Sequence, residues 1–164
     1  LNILLDLVSR YRESLGEAAE GFEEFIELLN SHGVEYLIVG GHAVAFHGYP
    51  RFTGDVDFFV QPTADNATRL LRVLAEFGFG NIGLDLETFT APEKVVQLGR
   101  PPNRIDLLTS ISGVDFALAW HKRVTAQLDG IPVCFLGRDE LLQNKRAAGR
   151  AKDIDDLQKL TGRN

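Results

Sequence analysis

The sequence predicts an α/β protein, a mixed β-sheet flanked by helices, and three stretches carry that expectation. An apolar strand, Glu35 to Val39, runs through Gly40-Gly41 directly into a helical piece from His42 to about His47. From Asp55 to Gln61 the residues alternate, with Val56, Phe58 and Val60 on one side and Asp55 and Asp57 on the other, as a pleated strand requires. Asp129-Gly130, a hairpin dipeptide, separates the apolar runs Val124 to Leu128 and Ile131 to Leu136.

The remaining elements follow in order. Residues 1–16 read as an amphipathic helix, with Leu4, Leu5 and Val8 on one side. A second helix, about Ala18 to Asn30, places Phe22, Phe25, Ile26 and Leu29 at i, i+3, i+4 and i+7, and Ser31-His32-Gly33 stops it. Gly48-Tyr49-Pro50 is a turn. Pro62-Thr63 opens a helix to Phe77 striped by Leu70, Leu71, Leu74 and Phe77. Between Gly78 and Pro92 the signal is poor, with strand and short helix both open up to Thr90. Lys94 to Leu98 and Arg104 to Leu108 read as strands joined by a proline-rich turn. Val114 to Trp120 holds one or two helical turns. Arg138 to Ala148 is a helix capped by Gly149, and Ala151 to Leu160 is the last.

With 164 residues the chain is expected to form one domain, comprising the N-terminal helix at 1–16, a core at 34–110 and a C-terminal helical pair at 138–162. Hydrophobic residues at 45% describe a globular chain rather than a disordered one. Cys134 is the single cysteine, so no intramolecular disulfide forms, and a reducing cytoplasm is expected. The opening LNILLDLVSR has too short an apolar run, with an acid inside it, for a signal peptide or a membrane span. A net charge of −6 argues against gripping nucleic acid by bulk electrostatics. The stretch Arg138 to Lys152 is locally basic, and Arg146 and Lys152 read as solvated helix residues.

Chemistry points to the acids. Asp55 and Asp57 face one way together, and Asp106 alternates with Ile105 and Leu107 in the strand Arg104 to Leu108. Should the two strands lie side by side, three carboxylates converge. Such an oxygen-rich set suits Mg²⁺ or Mn²⁺, with room left for phosphate and water. Crowding three anions without a metal would push at least one pKa up. The plainer alternative for Asp106 is an exposed strand acid, and the metal reading is preferred. The glycine pair would let a backbone approach a phosphate.

Gly-Gly, thirteen residues and then Asp-Val-Asp within a strand resembles the DNA polymerase beta superfamily of nucleotidyltransferases. The resemblance extends through Asn103-Arg104-Ile105-Asp106-Leu107-Leu108 and Asn144 to Asp153, about residues 34 to 160. It is similar to the small prokaryotic branch that includes abortive-infection (AbiE-type) toxins. It implies the polymerase beta-like fold and the transfer of a nucleoside monophosphate from a nucleoside triphosphate, with release of pyrophosphate. The acceptor implied is an RNA 3′ end, a small hydroxylated compound or a protein side chain. It also implies that Asp55 and Asp57 hold two metal ions, with Asp106 on the catalytic one and accepting the proton.

Around the acids, Arg51 either clamps phosphate oxygens or pairs with an acid, and Thr53 stands with it just ahead of Asp55. Gly40 and Gly41 are candidate nucleotide contacts, and Gly41 is expected to tolerate no side chain. Its alternative role is that of a packing glycine. Lys145 falls in the middle of the apolar face made by Leu141, Leu142 and Ala148, and Asp153 sits beside a stripe of Ile154, Leu157 and Leu160. Lys145 and Asp153 either form a structural ion pair or, as the resemblance implies, carry Lys145 to the triphosphate. His42 and His47, five apart, do not make a zinc pair, and Cys134 and Trp120 read as core. A rival to the enzyme is a catalytically silent domain of the same fold that binds a nucleotide or a protein. Only about fifty residues follow Asp115, which leaves a homodimer or a partner protein to complete the cleft.

Overall fold

The computed structural model describes residues 19–51, 53–101 and 103–162, so the helix expected at 1–16 lies outside the described residues. Six strands form one mixed sheet: β1 (Tyr36–Val39), β2 (Asp55–Val60), β3 (Val95–Leu98), β4 (Arg104–Leu108), β5 (Val124–Leu128) and β6 (Ile131–Phe135). Their spatial order is β3-β4-β2-β1-β6-β5. β2 pairs antiparallel with β1 and parallel with β4, while β1 pairs parallel with β6. Both outer pairs are antiparallel. The α-helices among the described residues are α1 (Ala19–Ser31), α2 (Gly40–Phe46), α3 (Ala64–Leu74), α4 (Leu86–Thr90), α5 (Phe116–His121), α6 (Arg138–Ala148) and α7 (Ala151–Thr161). None is long and apolar enough to cross a membrane.

The alternation of β2 sorts its side chains onto two apolar clusters. Val56, Phe58 and Val60 join Tyr36, Ile38, Ile105, Leu107 and Phe135 under α1 and α3. Each large side chain buried there contributes on the order of 1.5–3 kcal/mol. On the opposite face Phe59 joins Leu37 and Val39 beneath α2, α5 and α6. Asp55 and Asp57 continue the Phe59 row beyond that helical cover. Strong anchoring on one face thus holds charged groups out on the other.

Several boundaries differ from the sequence reading for local reasons. Thr63 accepts a hydrogen bond from the Asn66 N–H and caps α3, which leaves Pro62 and Thr63 outside the helix. The helix passes into a π-turn at Ala75–Phe79, where Gly78 has φ +103, so its regular part stops before Phe77. The stretch without a clear signal contains α4, started by Asp85 and Thr88 bonding reciprocally as a capping box. In α7 the expected apolar stripe is wrong at one end. Ile154 is 48% exposed, and Asp153 and Asp156 occupy the buried face with Leu157 and Leu160 half-buried beside them.

Candidate active site

The parallel register of β2 and β4 sets Asp55 opposite Arg104 and Asp57 opposite Asp106, with Phe59 opposite Leu108. Side chains paired across a sheet share a face, so the three carboxylates and one guanidinium project together. Oxygens of Asp55, Asp57 and Asp106 lie within 4.8 Å of one another. Asp106 is not the exposed strand acid of the alternative reading, being only 5% exposed.

The strand motif also contains Arg104, a site residue beyond the expected ones, which the period-two rule that joins Asp55 to Asp57 puts on the face of Asp106. Its Nε donates to Asp106 Oδ1 at 2.9 Å, and its NH2 donates to Asp106 Oδ2 at 3.1 Å and to Asp55 Oδ2 at 2.7 Å. Arg104 thus pairs with two of the three acids, Asp55 and Asp106. Burial, together with the charges of Asp55 and Asp106, raises the Asp57 carboxyl to about 7. For Asp55, burial pushes upward, but hydrogen bonds from Thr53 and Arg104 and one shared with Asp106 outweigh it, and the carboxyl lies below its ordinary value. Burial raises Asp106 despite the hydrogen bonds from Arg104.

A cleft of about 870 Å³ opens over this face. Gly40, Asp55, Asp57 and Asp106 line one side of it with Arg104 and Gln97. Asn144, Lys145, Arg150 and Lys152, from α6, α7 and the turn between them, line the other. Gly149 makes that turn: its φ of +64 ends α6 in the left-handed region, and Arg150 restarts the chain as the cap of α7. Asp153 Oδ2 accepts the Arg150 N–H at 3.1 Å and Arg150 Nε at 2.7 Å, which pins the turn.

Lys145, 3% exposed, sits where its helix pattern placed it, amid the buried residues Leu141 and Leu142. Its Nζ lies 3.2 Å from Asp153 Oδ1 and 3.0 Å from Asp156 Oδ2. The structural ion pair is therefore present, extended by Asp156, an acid that the sequence reading missed. The signal was the i, i+3 spacing of Asp153 and Asp156, which puts both on one face of a helix. Arg51 closes the network from the other side, with Nε and NH2 on the two oxygens of Asp156 at 2.9 and 3.0 Å.

The other expected nucleotide contacts are engaged with the protein itself. The Arg51 fork is spent on Asp156, and Thr53 Oγ1 donates to Asp55 Oδ1 at 2.9 Å. Arg51, Thr53, Gly41 and Asp153 are not among the residues lining the cleft. A Cβ on Gly41 would meet Thr53 Cβ at 3.0 Å and Arg51 NH1 at 3.3 Å, so Gly41 packs tightly against the loop before β2. Gly40 carries the tighter constraint. It has φ +65, and a Cβ there would stand 2.0 Å from Asp57 Oδ2. His42 is buried edge-on to Phe22, and burial holds its imidazole down at about 4 against the upward pull of Asp55. His47 bonds the Leu136 carbonyl at 2.7 Å.

Two acids on one face of a strand, a third on its parallel neighbour and a basic wall opposite make a site suited to polyanions carried with divalent cations. A comparison with curated proteins finds no match. The profile of a protein family described as nucleotidyl transferase of unknown function (DUF2204) matches residues 18–163. That span takes in every strand, the carboxylate face and the basic wall, and the chain belongs to this nucleotidyl transferase family.

Proposed function

We propose that the chain is a metal-dependent nucleotidyltransferase of polymerase beta-like fold, moving a nucleoside monophosphate from a nucleoside triphosphate to a hydroxyl acceptor. The observation that carries this reading is the excess of charge on the sheet: three carboxylates within 4.8 Å of one another face Lys145 and Lys152 across the cleft. The donor set fits Mg²⁺ or Mn²⁺, being all oxygen, and Asp57, raised to about 7, is an anion short of a cation. Asp55, Asp57 and Asp106 would hold the ions. Bound there, the metal supplies Lewis acidity toward the acceptor hydroxyl and neutralises charge building on the pyrophosphate.

The chain's own groups do the rest. Thr53 orients Asp55, and Gly40 lets Asp57 lie against the backbone. Lys145, held between Asp153 and Asp156, presents its ammonium to the triphosphate from the opposite wall. Lys152, exposed at the rim, adds charge to that wall. An RNA 3′ end, a small hydroxylated compound and a protein side chain all satisfy this chemistry as acceptors, and a second copy or a partner protein would complete the grip on them.

Calorimetric titration with α,β-methylene analogues of the four nucleoside triphosphates, with Mg²⁺ or with EDTA, tests the reading. Binding is expected for at least one analogue, only with the metal, and not by the Asp57→Asn variant. Nucleotide binding indifferent to metal and to Asp57 would leave a silent nucleotide-binding domain instead, and the transferase proposal would be lost.

A further inference from the structure

The carboxylate face already contains a cation of its own. Arg104 lies opposite Asp55 in the β2–β4 register and two residues before Asp106. Its guanidinium reaches both oxygens of Asp106, at 2.9 and 3.1 Å, and one oxygen of Asp55, at 2.7 Å. The other Asp55 oxygen accepts the Thr53 hydroxyl. A divalent ion would be held by these same carboxylates, and a guanidinium among them repels a second cation.

We infer that Arg104 is a built-in competitor for the divalent ion and that an incoming triphosphate draws it off the acids, making tight metal binding conditional on nucleotide. This rests on the metal-dependent reading above and adds a regulation of that site. Planar guanidinium groups take carboxylate and phosphate oxyanions in the same forked manner, so a phosphate is a fair exchange for Asp106. The Arg104 side chain is 28% exposed and lines the cleft, so it can turn toward a ligand without crossing the core. The cations of the network on the other wall are differently placed. Lys145 lines the cleft already held between two buried acids outside the carboxylate face, and Arg51 is forked on Asp156. Coupling of this kind is reciprocal: whatever the nucleotide does for metal affinity, the metal does for nucleotide affinity.

The test is a Mn²⁺ titration followed by electron paramagnetic resonance, on the full chain, with and without α,β-methylene nucleoside triphosphates. For the native chain, Mn²⁺ affinity is expected to rise roughly tenfold or more with nucleotide, an ordinary size for coupling between two ligands. Arg104→Met is expected to bind Mn²⁺ tightly by itself, with little further gain on adding nucleotide. Arg104→Lys keeps a cation without the fork and should fall between; it serves alone if circular dichroism shows the methionine variant unfolded. Variants that bind Mn²⁺ by itself no tighter than the native chain overturn the competition. Should the native chain bind no Mn²⁺ even with nucleotide, the metal site itself is overturned, and the inference with it.

Discussion

Two clusters of charge border one cleft, and they are balanced differently. On the α6–α7 wall, Lys145, Arg51 and Arg150 are interleaved with Asp153 and Asp156, so every acid has two cationic neighbours. On the sheet, among the described residues, Arg104 pairs with Asp55 and Asp106, and Asp57 has no ion pair, the charge of Lys152 acting on it more weakly than its acidic neighbours. The contrast shows in Asp153 and Asp57. Burial pushes Asp153 upward, but hydrogen bonds from Arg150 and Lys145 carry it below its ordinary value, whereas Asp57 is raised to about 7. A paired network supports the fold; an unbalanced one is held against the fold's interest, as sites for cations are.

The largest expected effect comes from breaking the balanced side. Lys145→Met leaves Asp153 and Asp156 buried with one cationic partner fewer each, at a cost of roughly 3–5 kcal/mol. For a chain of this size that lowers the thermal midpoint by roughly 6–20 °C. Calorimetry of the metal-free variant measures it. An unchanged midpoint with lost nucleotide binding would make Lys145 a ligand contact and nothing more.

Asp57→Asn should do the reverse to stability while abolishing metal-dependent nucleotide binding. Its carboxyl is raised from 3.8 to about 7, so between those values the folded chain keeps a proton that the unfolded chain has released. Stability from this group is therefore fully present at low pH, falls as pH rises through that window and is lost above about 7. At pH 8 without metal the asparagine variant should be the more stable by up to about 4 kcal/mol, an advantage that fades toward pH 4. His42 slopes the opposite way: lowered from 6.5 to about 4, it weakens the fold as pH falls between them. With Asp57 replaced, that acid-side loss should emerge uncompensated in thermal melts from pH 8 to pH 4. A variant less stable than the native chain at pH 8 would refute the imbalance.

The smallest expected effect sharpens the comparison at the glycine pair. Gly40→Ala forces a side chain into the left-handed region and against Asp57, costing about 1–2 kcal/mol and weakening Mn²⁺ binding with nucleotide. Gly41→Ala pushes on Thr53 and Arg51 alone and should cost no more than about 1 kcal/mol, with Mn²⁺ binding retained. Equal loss of metal binding in both would return Gly41 to the site.

The sequence by itself determined what local periodicity can carry. Two-residue alternation marked β2 and β4, the Asp129-Gly130 dipeptide marked the β5–β6 hairpin, and Gly149 marked the end of α6, because each depends on backbone sterics within a few residues. It also placed Asp55 with Asp57 on one face, and Lys145 on the buried face of its helix. What only the tertiary structure decided was which distant groups meet. The β2–β4 register sets Arg104 opposite Asp55, and the packing of α7 against α6 and the loop before β2 delivers Asp156 to Lys145 and Arg51. Such charge partners are chosen by how separate elements pack, 11 residues apart for Lys145 and Asp156 and 105 for Arg51 and Asp156, and no hydrophobic pattern encodes them. For the same reason Ile154, apolar and at a plausible spacing, lies exposed while two acids beside it are buried: the helix turned toward its cations rather than along its stripe.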